Sequence, residues 1–454
     1  MAQTTRPLIV RILHLGLVLG LLLAFALRGP AQSGNLSSSE LRHKTFDAVW
    51  NTVNTKYYDP TFGGVDWAAV GKQFQPRIDA VKDDAEFRDL LSSMLREIKI
   101  SHLSILDLEN LDKLLARTEV TRGLALRDLD NQVVVTRIVE RSAAAMVGLR
   151  PGFVLKAIDG VAVTNAKDAE KTLTSDAANH WLTIVDEANT THEIEVAYKL
   201  PAKDSLESTP LLAGTRHALV ETRILGGNVG YIHFSNFIAP VGKRFRSIFD
   251  SMKDAAGIII DLRGNSGGDT EVGMELAGLL VDKQTLISTT QTRNGARSYT
   301  AKAERNPYLG KVVILVDEAS ASESEELAAG LQAAGRVFVI GRTSRGEDMD
   351  ATAQELPMKS IALLYPVGLP RTINGETIEG RGVIPDLDVR LTRAELLAGN
   401  DSQLDAAVRH IADPFNSGIR QTDRTRPLCA YPQVAVYNGS GSTDEATNFS
   451  CKAR

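Results

Sequence analysis

The chain is short of several things, and each shortage excludes something. Only two cysteines occur in 454 residues, so this is no disulfide-dense scaffold, and no Cys/His zinc pattern can be assembled. The eight histidines are scattered and none falls in an HExxH spacing, so no metal and no cofactor is expected. Lysine and arginine never cluster, and the formal net charge is -5, which leaves no footprint for nucleic acid. There is no long low-complexity tract and no regular internal repeat. One apolar run stands out, from Ile12 to Leu27, and it is short for a membrane span.

That run follows Arg6 and Arg11 and precedes small residues and a polar stretch, SGNLSSSE. This is the layout of an export signal over residues 1–31, with cleavage sites after Ala26 or Ala31. The alternative is an uncleaved anchor that tethers the protein to a membrane through residues 12–27. Either way the expected location is periplasmic or secreted. Cys429 and Cys451 flank a Gly/Ser/Asn-rich loop near the end of the chain and read as one disulfide of an oxidising compartment.

The length predicts several domains in a multidomain α/β protein. Residues 36–117 show helical spacing, with Leu41, Phe46, Val49, Trp50 and Val53 on one face, and end in KISHLSIL, read as a short strand. Residues 118–200 are β-rich with two helices, opening in a hairpin whose turn is Asp130-Asn131. Residues 201–395 alternate buried strands with helices, the pattern of an α/β core, and 396–454 add a helix and the cysteine-bracketed tail.

Two stretches of the core could carry chemistry. GIIIDLRGNSGGD is a buried strand running into a loop with Gly264, Gly267 and Gly268. Such a loop can hold an oxyanion on its N–H groups, or be a tight strand–helix turn; without a following Lys-Ser/Thr it is no nucleotide site. VDEASASESEELAAG places Ser320, Ser322 and Ser324 where a strand meets a helix. A serine there is an ordinary helix cap or a nucleophile beside free N–H groups, and the stretch alone does not decide.

Taken in order, these segments resemble a known family. RGLAL, SAAAMVGLRPG and IDGVAV resemble a PDZ domain of the kind found in bacterial proteases. The succession of helical module, PDZ, GYIHFSNF, GIIIDLRGNSGG, SASESEELAAG and IEGRGVIPD resembles the C-terminal processing (tail-specific) and tricorn-like serine peptidases, from about Leu41 to Val389. The resemblance implies a ClpP/crotonase-like α/β peptidase core. It implies Ser322, the middle serine of SxSxSE, as nucleophile, and an oxyanion hole from the N–H of Glu323 and of Gly267 or Gly268.

The processing peptidases use a lysine base, but that position is Glu347 in GRTSRGED, and Arg342 and Arg345 stay protonated. The tricorn-like branch instead uses a histidine from a Ser-His pair and a late glutamate, which here are Ser101, His102 and Glu379. An imidazole titrates near neutrality and can shuttle the nucleophile's proton. In the PDZ segment Gly123, Leu124, Ala125 and Leu126 match the loop that receives a peptide's free C-terminus, though the module could also serve only to pack on the core. The expected function is an exported serine endopeptidase acting on protein tails. The rivals are an inactive tail-binding protein and a binder of small hydrophobic ligands on the same core.

Overall fold

The computed structural model describes residues 37–111, 116–175, 178–210 and 215–413. The export segment, Cys429 and Cys451 all lie outside these residues. Among the described residues no helix is long and apolar enough to cross a membrane.

Helix α1 (Ser38–Lys56) starts where the Ser37 side chain accepts the Glu40 N–H and the Glu40 carboxylate returns the bond to the Ser37 N–H. It packs with α2 (Trp67–Phe74) and α3 (Asp84–Leu95) around Phe46, Val49, Trp67, Phe87 and Leu91. The apolar face does not close on itself. Leu356, Ile361, Leu363 and Tyr365 of the core complete the cluster, and strand β1 (Ser104–Asp107) pairs antiparallel with core residues 361–364. Only the last three residues of KISHLSIL are strand. Ser101 and His102, expected on it, lie in the turn before it, and His102 takes a positive φ of 56°.

After α4 (Thr118–Thr121) the chain enters β2 (Leu124–Leu129) and β3 (Gln132–Ile138). Their turn is Asp130-Asn131, both at positive φ, which matches the twist of the hairpin. Then come α5 (Ala143–Met146), β4 (Val154–Ile158), β5 (Val161–Ala162), α6 (Ala166–Thr174), β6 (His180–Val185) and β7 (Thr191–Val196). The sheet order is β2-β3-β4-β6-β7, with β5 on β4, so β2 is an edge.

The core is built from β8 (Leu206–Pro210), β9 (Thr215–Leu225), β10 (Val229–Phe234), α7 (Ala239–Ser251), β11 (Gly257–Asp261), α8 (Thr270–Gly278), β12 (Thr285–Thr292), β13 (Gly295–Ala301), β14 (Lys311–Val316), α9 (Glu323–Ala333), β15 (Phe338–Gly341), β16 (Asp350–Glu355), β17 (Ile361–Thr372) and β18 (Leu387–Asp388). Seven strands form a mixed sheet in the order β18-β15-β14-β11-β10-β9-β8, parallel from β18 to β10. Strands β1, β12, β13, β16 and β17 form a second, antiparallel sheet. Helices α7, α8 and α9 cover one face of the larger sheet through Phe234, Phe245, Val272, Ile314 and Leu327. The near-continuous apolar runs GIIID and KVVILV are what strands buried on both faces require.

Helix α10 (Arg393–Leu397) leaves the core and packs Leu396 on Val134 and Val154 of the β2–β7 sheet. Helix α11 (Ser402–Ala412) returns to cover the other core face with Ala406, Ala407 and Ile411.

Candidate active site

The parallel strands β11 and β14 end side by side, which brings the glycine loop against the serine loop. One carboxylate ties them. Asp317 Oδ1 accepts the N–H groups of Gly264 (2.9 Å), Ala319 (3.0 Å) and Ser320 (3.1 Å). Its other oxygen accepts Arg127 Nε of β2 at 2.6 Å. Asn265 adds a second brace: its carbonyl accepts the Ala321 N–H at 3.0 Å, and its side-chain oxygen accepts the Gly267 N–H at 2.9 Å.

Within this frame the three serines part company. Ser320 is fully buried and donates to the Leu262 carbonyl at 2.8 Å. Ser324 is fully buried and donates to the Asn265 carbonyl at 3.0 Å. Both hydroxyls are spent on structure. Ser322 is half-buried; its Oγ faces the Glu325 N–H as the cap of the following helix and donates to no acceptor among the described residues, so its proton is uncommitted. Its backbone sits at φ 56°, ψ -127°, a conformation that costs a non-glycine residue roughly 1–3 kcal/mol.

The surroundings hold Ser322 there. Its N–H is shared between the Glu347 carbonyl (2.9 Å) and Glu325 Oε2 (3.0 Å), and its carbonyl accepts the Glu326 N–H at 3.0 Å. Glu325 also accepts the N–H groups of Gly346 and Glu347 and the Ser344 hydroxyl, so one carboxylate ties the nucleophile's loop to the loop after β15.

The glycines are required by closeness. A Cβ on Gly267 would stand 2.7 Å from Ser322 Cβ and 2.8 Å from the Glu323 nitrogen, and one on Gly268 would stand 2.1 Å from the Phe237 oxygen. Between the two, geometry separates the oxyanion candidates. The Gly267 N–H is already given to Asn265, whereas the N–H groups of Gly268 and Glu323 meet no acceptor among the described residues. Glu323 is the first residue of α9, so its N–H also lies at the positive end of the helix.

The base comes from the other side. The Ser101 N–H donates to Glu379 Oε1 at 2.9 Å and the Ser101 hydroxyl donates to Glu379 Oε2 at 2.8 Å. With its one proton committed, Ser101 Oγ can only accept from His102 Nδ1, 2.7 Å away. That bond fixes the tautomer with Nε2 unprotonated and available as a base. Burial lowers the His102 pKa below 6.5, outweighing the charges of Glu379, Glu347 and Asp350 that raise it, so the ring is neutral at neutral pH.

A single peptide group joins the two sides. Its carbonyl, from Glu347, accepts the Ser322 N–H, and its N–H, from Asp348, donates to Glu379 Oε2 at 2.8 Å. Ser322, Ser101, His102 and Glu379 thus meet around one backbone unit. No hydrogen bond joins Ser322 Oγ to His102 Nε2 among the described residues.

Sequence reasoning passed over two features. Glu325 and Asp317 carried no signal beyond an acidic run. The run itself is not solvated: Glu323, Glu326 and Asp348 are each at most 3% exposed. Burial pushes all three carboxyls up, Glu326 to about 7, each helped by the neighbouring acids. Glu347, the residue at the expected lysine position, has a side chain 45% exposed and 3.8 Å from Arg345; its backbone carbonyl bonds Ser322 and its carboxylate acts on His102 only through its charge. Among the described residues no group of three or more His, Cys, Asp or Glu is placed to hold a metal ion. Gly123, Leu124, Ala125 and Leu126 lie far along the chain from the nucleophile, at the start of edge strand β2, and the last three are almost fully buried.

A strand–turn–helix serine, free N–H donors beside it and an oriented neutral imidazole are the parts of a serine-type peptidase. The comparisons with known proteins agree with that class. Residues 228–389 match peptidase family S41 and residues 39–96 match the tricorn protease C1 domain. It is 25% identical over 409 residues to tricorn protease homolog 2 of Streptomyces coelicolor, a match over 85% of this chain and 34% of that protein. It is 25% identical over 370 residues to the carboxyl-terminal-processing protease of Synechocystis, covering 79% of this chain and 84% of that one. The chain therefore spans about a third of the tricorn homologue and most of the processing protease. The solved photosystem II D1 C-terminal processing protease shares the mixed α/β fold, with TM-score 0.55, 21% identity, and coverage of 84% of this chain and 99% of that one.

Proposed function

We propose that this chain is an exported serine endopeptidase that hydrolyses peptide bonds of proteins and selects them by their C-terminal tails. Ser322 Oγ attacks the scissile carbonyl carbon while its proton passes to His102 Nε2. The carbonyl oxygen, now an anion, is held by the N–H groups of Gly268 and Glu323. As the C–N bond breaks, His102 returns the proton to the leaving amine, and water repeats the sequence on the acyl-enzyme. Ser101 and Glu379 keep the imidazole in the base tautomer and stabilise its cation. Substrate arrival closes the last gap between Ser322 and His102, as catalytic hydrogen bonds often tighten only in the complex.

The observation that carries this reading is the peptide group of Glu347 and Asp348, which binds the nucleophile's backbone on one side and the base's carboxylate on the other. Residues 118–200 are read as a PDZ-type module that receives a free C-terminus on β2, a role supported by the open sheet edge there. A cavity of about 590 Å³ lies between this module and the core, lined by Arg127, Arg137, Arg223 and Arg263 among others. The name of the Synechocystis relative supports tail processing as the activity. The signal-like segment over residues 1–31 supports export.

Ser322→Ala is the test. The variant should unfold at the wild-type temperature and show no cleavage of a quenched-fluorescent peptide above background. Retained cleavage would move the nucleophile elsewhere, and a wild-type chain that neither cleaves peptides nor reacts with a fluorophosphonate would leave the inactive tail-binding reading in its place.

A further inference from the structure

We propose that Glu170 is an internal plug of the peptide-docking edge, which an incoming tail has to displace. The inference rests on the reading that β2 receives protein tails. Strand β2 ends the sheet, so one of its edges carries no strand, and side chains hold both polar groups of Leu126 there, the carbonyl accepting Arg127 Nη1 at 2.6 Å. The Leu126 N–H on it is not used by β3. It donates to Glu170 Oε1 of α6 at 3.2 Å. The same oxygen accepts the Thr118 hydroxyl of α4 at 3.3 Å and stands 3.5 Å from Arg127 Nη1. Helix α4 touches both β2 and α6, and its four residues are all buried.

In strand addition, the ligand's backbone carbonyls accept N–H groups of the edge strand. A carboxylate oxygen from the facing helix already holds that place here. The contact is built from three separate elements, α4, β2 and α6, and the Glu170 side chain is 27% exposed, so it can swing toward solvent while Arg127 keeps Asp317 and Arg117 keeps Glu119 as opposite charges. Glu170 therefore competes with the ligand for the Leu126 N–H. It sets a threshold that a well-matched tail passes and a poor one does not. The same carboxylate keeps the edge from pairing with stray strands, a standing hazard of open sheet edges.

The experiment uses the full chain carrying Ser322→Ala, so that the probe is not cut. The probe is a fluorescein-labelled decapeptide ending in Ala-Val-Ala with a free carboxylate, read by fluorescence anisotropy. Adding Glu170→Ala should tighten binding about tenfold, the scale of one hydrogen bond to a charged group. Glu170→Gln, which keeps the shape and loses the charge, should tighten it by less and decides the matter if the alanine variant does not fold. Equal affinity with and without Glu170 would overturn the plug and leave the tail-receptor reading standing. No binding by any variant would overturn the tail-receptor reading, and the plug with it.

Discussion

Ser322 is held by residues of its own strand–turn–helix unit and the loops beside it, whereas His102 reaches the site from a helical module at the other end of the chain. Around Ser322 nearly every polar group is spent: Asp317, Asn265 and Glu325 together accept N–H groups from both loops. Around His102 the anchoring is one carboxylate, Glu379, which takes Ser101 twice and Asp348 once. The nucleophile is thus a local property of the core. The base is a product of tertiary packing, because β1 and the shared cluster of Phe87, Leu91 and Leu363 set where the turn at 101–102 sits. Damage to the first half should cost stability and activity together. Damage to the second should cost catalysis alone.

The largest effect separating the halves is expected at Glu379. Glu379→Ala removes the acceptor that orients Ser101, and kcat should fall about a thousandfold with KM little changed. A proportionate loss of folding stability, measured by urea unfolding, would erase the distinction. Asp317→Ala should do the reverse. It strips the Gly264 and Ala319 N–H groups of their acceptor and leaves Arg127, 13% exposed, short of its nearest counter-ion. The expected cost is about 3 kcal/mol of unfolding free energy, visible as a lower urea midpoint.

The smallest effect is expected from the buried acids. Glu326 keeps its proton to about pH 7 when folded but only to about 4.5 when unfolded. Its contribution to stability is therefore full below pH 4.5 and is lost as pH rises from there to 7. Glu326→Gln should raise the unfolding temperature at pH 8 by a few degrees and change little at pH 4.5. A gain of the same size at both pH values would mean that the carboxyl's charge is not what matters.

Much of this architecture is legible in the residues. The alternation in LALRDLDNQVVVTRI and its Asp130-Asn131 turn specify the hairpin, and the apolar runs GIIID and KVVILV specify buried parallel strands. The serine was half legible. Helix-start position alone made Ser320, Ser322 and Ser324 equivalent, and only the Leu262 and Asn265 carbonyls, which come from a different strand's loop, distinguish them. The buried acids gave no signal for a similar reason. Glu323 is pressed on Gly273 and Glu326 takes the Ser288 hydroxyl, both partners supplied by elements distant in sequence. Ser101-His102 was expected on a strand because the alternation runs on through it; the positive φ of His102 ends the regular structure just before β1.

The claim on which the account stands is that the ring of His102, carried by the leading module, deprotonates Ser322. Its most direct test is the rate at which a fluorophosphonate acylates Ser322, followed from pH 4 to 9 in the wild type and in His102→Ala. The account predicts wild-type labelling that persists down to a limb below pH 6.5, the direction in which burial moves this imidazole, and at least a hundredfold slower labelling without His102. Equal rates in the two proteins, with no limb in either, would contradict it.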